Sequence, residues 1–269
     1  MHTLKSLAAG ISTIHPIVWE MSWRSLHYAK FLLPHDPSYK IFPRFIELKP
    51  SGLFLDVGAN TGVSSLSIRK YSKDYRILAL EPNRELEPWL KPWAHRDPLF
   101  DYKICGVGDE PGKLSFFCPY SGGVALHTFT SNSKEQIVTA VTESFGERIA
   151  RGLTFVEVEA EIVTIDSLEM DPSIIKIDAE GFDYQVLVGG KETIARARPF
   201  IVVEMSWSQR EEISKFFKEL DYVETAYDPD TGGLTLAISD VLRSESGRRN
   251  LFAVPSELAS ACLSRKAAD

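Results

Sequence analysis

The chain has 269 residues, 44% hydrophobic and 25% charged, which suits one large domain with a short extension and excludes a disordered or collagen-like polymer. Thirty basic against 37 acidic residues leave a formal charge of −7, which works against general attraction to nucleic-acid phosphates. Cys105, Cys118 and Cys262 are odd in number and form no CxxC pair, so they read as reduced thiols of a cytoplasmic protein rather than a disulfide frame or a zinc cluster.

The first 50 residues run against the overall charge, with six Lys or Arg, three Asp or Glu, and four of the six histidines. Within them Trp19, Trp23, Leu26 and Leu33 recur at helical spacing before Pro34, which predicts a helical extension over residues 1–35. Its basic, Trp-bearing character gives it at most a weak attraction to an anionic membrane surface. No apolar run approaches the ~18–20 residues that a spanning helix needs.

From residue 51 onward, short apolar runs alternate with helical stretches, the pattern of βαβ units around a mostly parallel sheet. Five runs qualify: 53–57, 76–80, 102–107, 174–177 and 200–203. Four of them carry or meet an acid at their end, namely Asp56, Glu81, Asp178 and Glu204. Ligands of open α/β sheets bind beyond the carboxyl ends of strands, so these acids gather where chemistry is expected.

Between the third and fourth runs, residues 112–160 form an insert with a strand-like LSFFC, a glycine turn at 121–123 and a predicted helix over 134–151. Ile137, Val141, Phe145 and Ile149 make an apolar stripe on that helix that must rest on something. After Glu204, Ile213, Phe216, Phe217 and Leu220 predict another helix. Two strand-like pieces follow, 222–227 and 250–254, expected to pair antiparallel at a sheet edge through the turn-prone DPDTGG.

The segment LFLDVGANTG (53–62) reads as a buried strand running into a tight turn, where Gly58 and Gly62 let backbone approach a ligand and Asn60 tolerates left-handed geometry. Ser64 onward opens a helix, whose N-terminus favours anionic groups. Glu81 lies 25 residues past Asp56, a separation that a βαβ unit converts into adjacent strand ends, and its carboxylate suits both hydroxyls of a ribose. The G-x-G-x-x-G of nicotinamide enzymes is absent, which disfavours an oxidoreductase. His127, beside the glycine turn of the insert, is the imidazole best suited to proton transfer. Asp178, Glu180, Asp183 and Glu204 offer oxygen ligands, but their spacing does not demand a cation and no metal is expected.

Six ordered blocks, DVGANTG (56–62), LEP (80–82), GVGDEPGKLSFF (106–117), TIDSL (164–168), IKIDAEGFDYQVLVGG (175–190) and ARPFIVVEM (197–205), resemble the FkbM family of S-adenosylmethionine-dependent methyltransferases over roughly residues 36–255. Asp183 stands where that family usually carries Glu. The resemblance implies the class I, Rossmann-like α/β fold: a mostly parallel seven-stranded sheet with a C-terminal antiparallel edge pair and helices on both faces. It implies a methyltransferase domain over 36–269, with the insert facing substrate, and S-adenosylmethionine as cofactor.

By the same resemblance Asp56, Gly58, Asn60 and Gly62 surround the methionine moiety, Glu81 with Pro82 holds the ribose, and Gly106 and Val107 line the adenine. Asp178 and Glu180 then face the methyl group, with His127 as the imidazole candidate for base. The implied acceptor is a hydroxyl of a sugar, glycan or polyketide-type metabolite. N-methylation of an amine or peptide, or a non-catalytic nucleoside-binding module, are the alternatives.

Overall fold

The computed structural model describes residues 36–179, 181–204, 207–236, 238 and 250–263; the helical extension expected over 1–35 lies outside them. Lys113–Ala160 forms one compact unit, and the rest of the described chain forms a larger one.

The larger unit opens with a 3₁₀ turn, Pro37–Ile41, then α1 (Phe42–Leu48), β1 (Leu53–Val57), α2 (Val63–Tyr71), β2 (Arg76–Leu80), α3 (Glu87–Arg96), β3 (Phe100–Lys103) and β4 (Gly106–Val107). The insert carries β5 (Gly112–Ser121), β6 (Val124–Ala125), α4 (Lys134–Phe145) and α5 (Glu147–Ala150), and the chain returns along β7 (Thr154–Val163). It ends with β8 (Ile174–Ile177), α6 (Asp183–Val188), α7 (Lys191–Ala197), β9 (Phe200–Glu204), α8 (Arg210–Glu219), β10 (Tyr222–Asp228), β11 (Gly233–Thr235), β12 (Asn250–Pro255) and α9 (Ser256–Leu263).

The main sheet corrects the seven-stranded expectation. Among the described residues it has eight strands in the order β11-β10-β12-β9-β8-β1-β2-β3. The five from β9 to β3 are parallel, while β12 runs antiparallel to both β9 and β10. The turn after β10 leads into the three-residue β11, which is the edge strand, so β12 lies inside the sheet and not at its edge. The expected run 102–107 is also divided: β3 stays in the main sheet, whereas β4 leaves it and pairs with β7.

The inner parallel strands β1, β2, β8 and β9 are buried on both faces, which is why they read as largely apolar runs, whereas β3 at the edge is partly exposed. Leu53, Leu55 and Val57 pack with Val186, Ile194 and Phe217 of α6 to α8, while Phe54 packs on the other face with Phe42, Ile68 and Leu90 of α1 to α3. In α8 the residues expected to face inward, Ile213, Phe216 and Phe217, are buried. Phe45 of α1 stacks on Phe200 at 4.2 Å between ring centroids, with the planes 7° apart. Phe45→Ala is therefore expected to lower stability by about 3–5 kcal/mol, read as a lower midpoint of urea unfolding. A loss of under about 1 kcal/mol would place α1 outside this core.

In the insert, β5 and β6 form a hairpin with Tyr120 opposite Ala125 and Ser121 opposite Val124. The helix expected over 134–151 is broken: Gly146, at φ 86° and ψ 163°, separates α4 from α5. Its stripe rests on the insert's own core, where Ile137, Val141 and Ala150 are buried with Leu126, and Phe145 and Ile149 pack against them. No described helix is long and apolar enough to cross a membrane.

Candidate active site

After β1 the chain builds outward through β2 and β3, then returns to the other side of β1 as β8 and β9. The strand order thus reverses between β1 and β8, and the crevice beyond the carboxyl ends there is where open α/β sheets bind ligands. The glycine turn 58–62 after β1 and Asp178 and Ala179 after β8 emerge at this point. A hollow of about 200 Å³ sits at the opposite ends of the strands, beside Leu53, Arg76 and Phe100, away from the turns after β1 and β8.

The turn after β1 is held by backbone. Gly58 and Ala59 both donate to the Leu80 carbonyl at 3.0 Å. Gly58 has φ 71°, and a Cβ there would lie 1.8 Å from the Asp178 carbonyl oxygen, so no larger residue fits between these strand ends. Asn60 is left-handed at φ 52°, and its side chain accepts from the Thr61 N–H at 2.8 Å. Gly62 is the N-cap of α2 and supplies no side chain, so the first helical turn lacks a side-chain cap.

Glu81, 6% exposed, reaches this turn from the end of β2. One carboxylate oxygen accepts the Asn60 N–H at 2.7 Å and the other the Asn83 N–H at 2.8 Å. Burial pushes its pKa up to about 7, against the lowering effect of those two N–H groups and Lys176; Asp178 pushes it further up. Each oxygen still has a lone pair for a second donor.

Asp56 lies inside the fold instead of on the ligand-facing surface of the turn. It is 0% exposed and accepts the hydroxyls of Ser64, at 2.8 and 3.0 Å, and of Ser65, at 2.6 Å. Its register partner across β1 and β8 is Lys176, a buried lysine that the sequence analysis did not single out. The Lys176 ammonium lies 3.5 Å from Asp56 and 3.1 Å from Asp178, and donates to the Gly58 carbonyl at 2.9 Å and the Val57 carbonyl at 3.4 Å. These acceptors do hold an ammonium, and it is the chain's own.

Asp178 keeps 28% of its side chain exposed at the crevice. Asp183, at the start of α6, turns inward and accepts the Ala179 N–H at 2.8 Å, closing the turn after β8. Burial raises its pKa to about 6, aided by Asp178 and opposed by the turn's N–H groups. Glu180 lies outside the described residues. Gly106 and Val107 are not at the end of the third main-sheet strand; they form β4 against Ile162 and Val163 because the chain leaves the sheet after Lys103. A Cβ on Gly106 would lie 3.6 Å from that of Pro82, so the bend after Glu81 and β4 are neighbours. His127 belongs to the insert, where its Nδ1 is 3.7 Å from the Cys118 sulfur.

A family model described as the methyltransferase FkbM domain matches residues 56–226, more than half of the chain. No curated protein matches. A solved methyltransferase FkbM from Methylobacillus flagellatus is similar at 14% identity and a TM-score of 0.48, covering 76% of this chain and 43% of that one. A TehB-like S-adenosylmethionine-dependent methyltransferase from Corynebacterium glutamicum is similar at 13% identity and 0.41, covering 89% and 96%. A Thermotoga maritima S-adenosylmethionine-dependent O-methyltransferase gives 12% and 0.36, covering 75% and 58%. This chain thus spans less than half the length of the Methylobacillus protein. The family match runs from the end of β1 through the return strands β8 and β9 into β10, and the chain belongs to the FkbM methyltransferase family.

Proposed function

We propose that the chain transfers a methyl group from S-adenosylmethionine to a hydroxyl of a sugar, glycan or polyketide-type metabolite. The observation that carries this reading is the reversal of strand order between β1 and β8, with a left-handed glycine turn, a buried carboxylate and an uncapped helix end converging there. The donor set suits the cofactor: Glu81 has acceptor capacity for two ribose hydroxyls, and the first turn of α2 attracts a carboxylate. Asn60 and Gly62 shape the turn around the methionine end, and Pro82, Gly106 and Val107 flank the base. Asp56 supports the turn from behind.

When bound, the sulfonium supplies an electrophilic methyl group. The chain's own task is then to align the acceptor oxygen with it and to accept the hydroxyl proton. Asp178 is the carboxylate we assign to that end of the crevice, with Glu180 two residues on; His127 of the insert is the imidazole candidate for base, to be tested by its own substitution. The test is incubation of the full chain with methyl-labelled cofactor and a pool of hydroxylated glycans and metabolites, read by mass spectrometry. Label on oxygen supports the reading; label on nitrogen alone, or none with any acceptor, contradicts it.

Glu81 makes the cofactor step sensitive to pH. Hydroxyl donors favour its anion, so affinity for S-adenosylhomocysteine is expected to rise by about tenfold from roughly pH 6 to roughly pH 8. Glu81→Gln should flatten that profile; a flat profile in the unaltered chain would contradict the assignment. The sign for stability is the reverse: the raised carboxyl stabilises the fold fully below its ordinary value near 4.5, and this contribution is lost as pH rises through about 7.

A further inference from the structure

Lys176 is a cation in the middle of the fold, and its contacts are unequal. A buried lysine needing only charge balance would sit closest to the fully buried Asp56. Lys176 instead reaches past Asp56, at 3.5 Å, to the Gly58 carbonyl at 2.9 Å and to Asp178 at 3.1 Å. Those two shorter contacts belong to the two strand ends that flank the crevice. Resting on the cofactor reading above, we propose that Lys176 is a positioning residue: its ammonium ties the turn after β1 to Asp178, holding both in the geometry that receives the cofactor and acceptor.

Several groups face this ammonium and Asp178 from each packed element. Asp56 comes from β1, Tyr39 from the 3₁₀ turn, Glu81 from the end of β2 and Asp183 from α6. Four of these five groups, counting Asp178 itself, are carboxyls, and Lys176 is the cation set among them. Without it, Glu81 loses a cation that favours its anion while Asp178 still repels it, so the Glu81 carboxyl retains its proton to higher pH.

The test uses the full chain and S-adenosylhomocysteine as probe, titrated across acid to mildly alkaline pH. Lys176→Met with Asp56→Asn removes the cation and its deepest partner together, leaving no lone charge between β1 and β8. The double variant is expected to regain most of the thermal stability that Lys176→Met alone loses. It should still bind the probe at least about tenfold more weakly, and the acid limb of binding should move to higher pH. A folded double variant with unchanged affinity and an unmoved limb would overturn the proposal, leaving Lys176 a packing residue. Should that variant not fold, Lys176→Gln removes the charge while keeping a shorter side chain with an amide donor; the limb is again expected to rise, and an unmoved limb overturns the proposal. Failure of the unaltered chain to bind the probe would overturn the cofactor reading and this inference with it, a result distinct from one in which chain and variants bind alike.

Discussion

Lys176→Met alone is expected to lower stability by about 3–5 kcal/mol, because removing one partner of a buried pair leaves an uncompensated charge. Asp56 is 0% exposed and its partner side chain 6% exposed, so water cannot take over the lost ammonium. For a domain of this size the loss corresponds to a fall of roughly 6–20 °C in thermal midpoint. Calorimetric unfolding at neutral pH checks it. A fall of less than about 2 °C would mean that Asp56 is satisfied by Ser64 and Ser65 without the lysine.

Gly58→Ala should cost about 2–5 kcal/mol and weaken cofactor binding at the same time. Left-handed backbone costs an alanine about 1–2 kcal/mol, and crowding a packed site adds about 1–3 kcal/mol. The crowding decides the size of the effect, since the new methyl would meet the Asp178 carbonyl at 1.8 Å and force the ends of β1 and β8 apart. Gly122→Ala is the control: it is left-handed at φ 59°, yet nothing lies within 4 Å of its Cβ position, so only the backbone cost of about 1–2 kcal/mol remains. Equal effects at the two positions, by urea unfolding, would show that the contact with Asp178 carries no weight.

The parallel half of the sheet was legible because strands buried on both faces leave continuous apolar runs, as in LFLDV, RILAL and FIVV. The glycine turn and Glu81 were legible from their spacing. The pieces that sequence reasoning misplaced are governed by longer-range geometry. No local signal shows β3 ending at Lys103 and β4 joining a different strand, since YKICGV carries no proline or turn pair at the break. The helical stripe of the insert carried its period across Gly146, although a glycine there was the available cue for a break. Strand β11, three residues long, is too short for periodicity to register.

Lys176 had a signal that periodicity does not weigh. LFLDV and IIKI are apolar strands with one charge each, of opposite sign, and parallel pairing in register places the two opposite one another. A charge inside a run that must be buried requires a partner, and the neighbouring strand β1 offers Asp56 in register with Lys176. The family resemblance puts Asp56 at the methionine moiety, whereas its side chain shares a sheet face with Phe54, toward α1 and α2, and is fully buried.

The most direct test is equilibrium titration of the full chain with S-adenosylhomocysteine and, separately, with NAD, alongside the Glu81→Ala variant. Uptake of S-adenosylhomocysteine and not of NAD is expected, with at least a tenfold weaker affinity in the variant from the loss of charge-assisted bonds of about 1.5–3 kcal/mol each. No uptake of S-adenosylhomocysteine, or equal affinity with and without the Glu81 carboxylate, would contradict the cofactor reading.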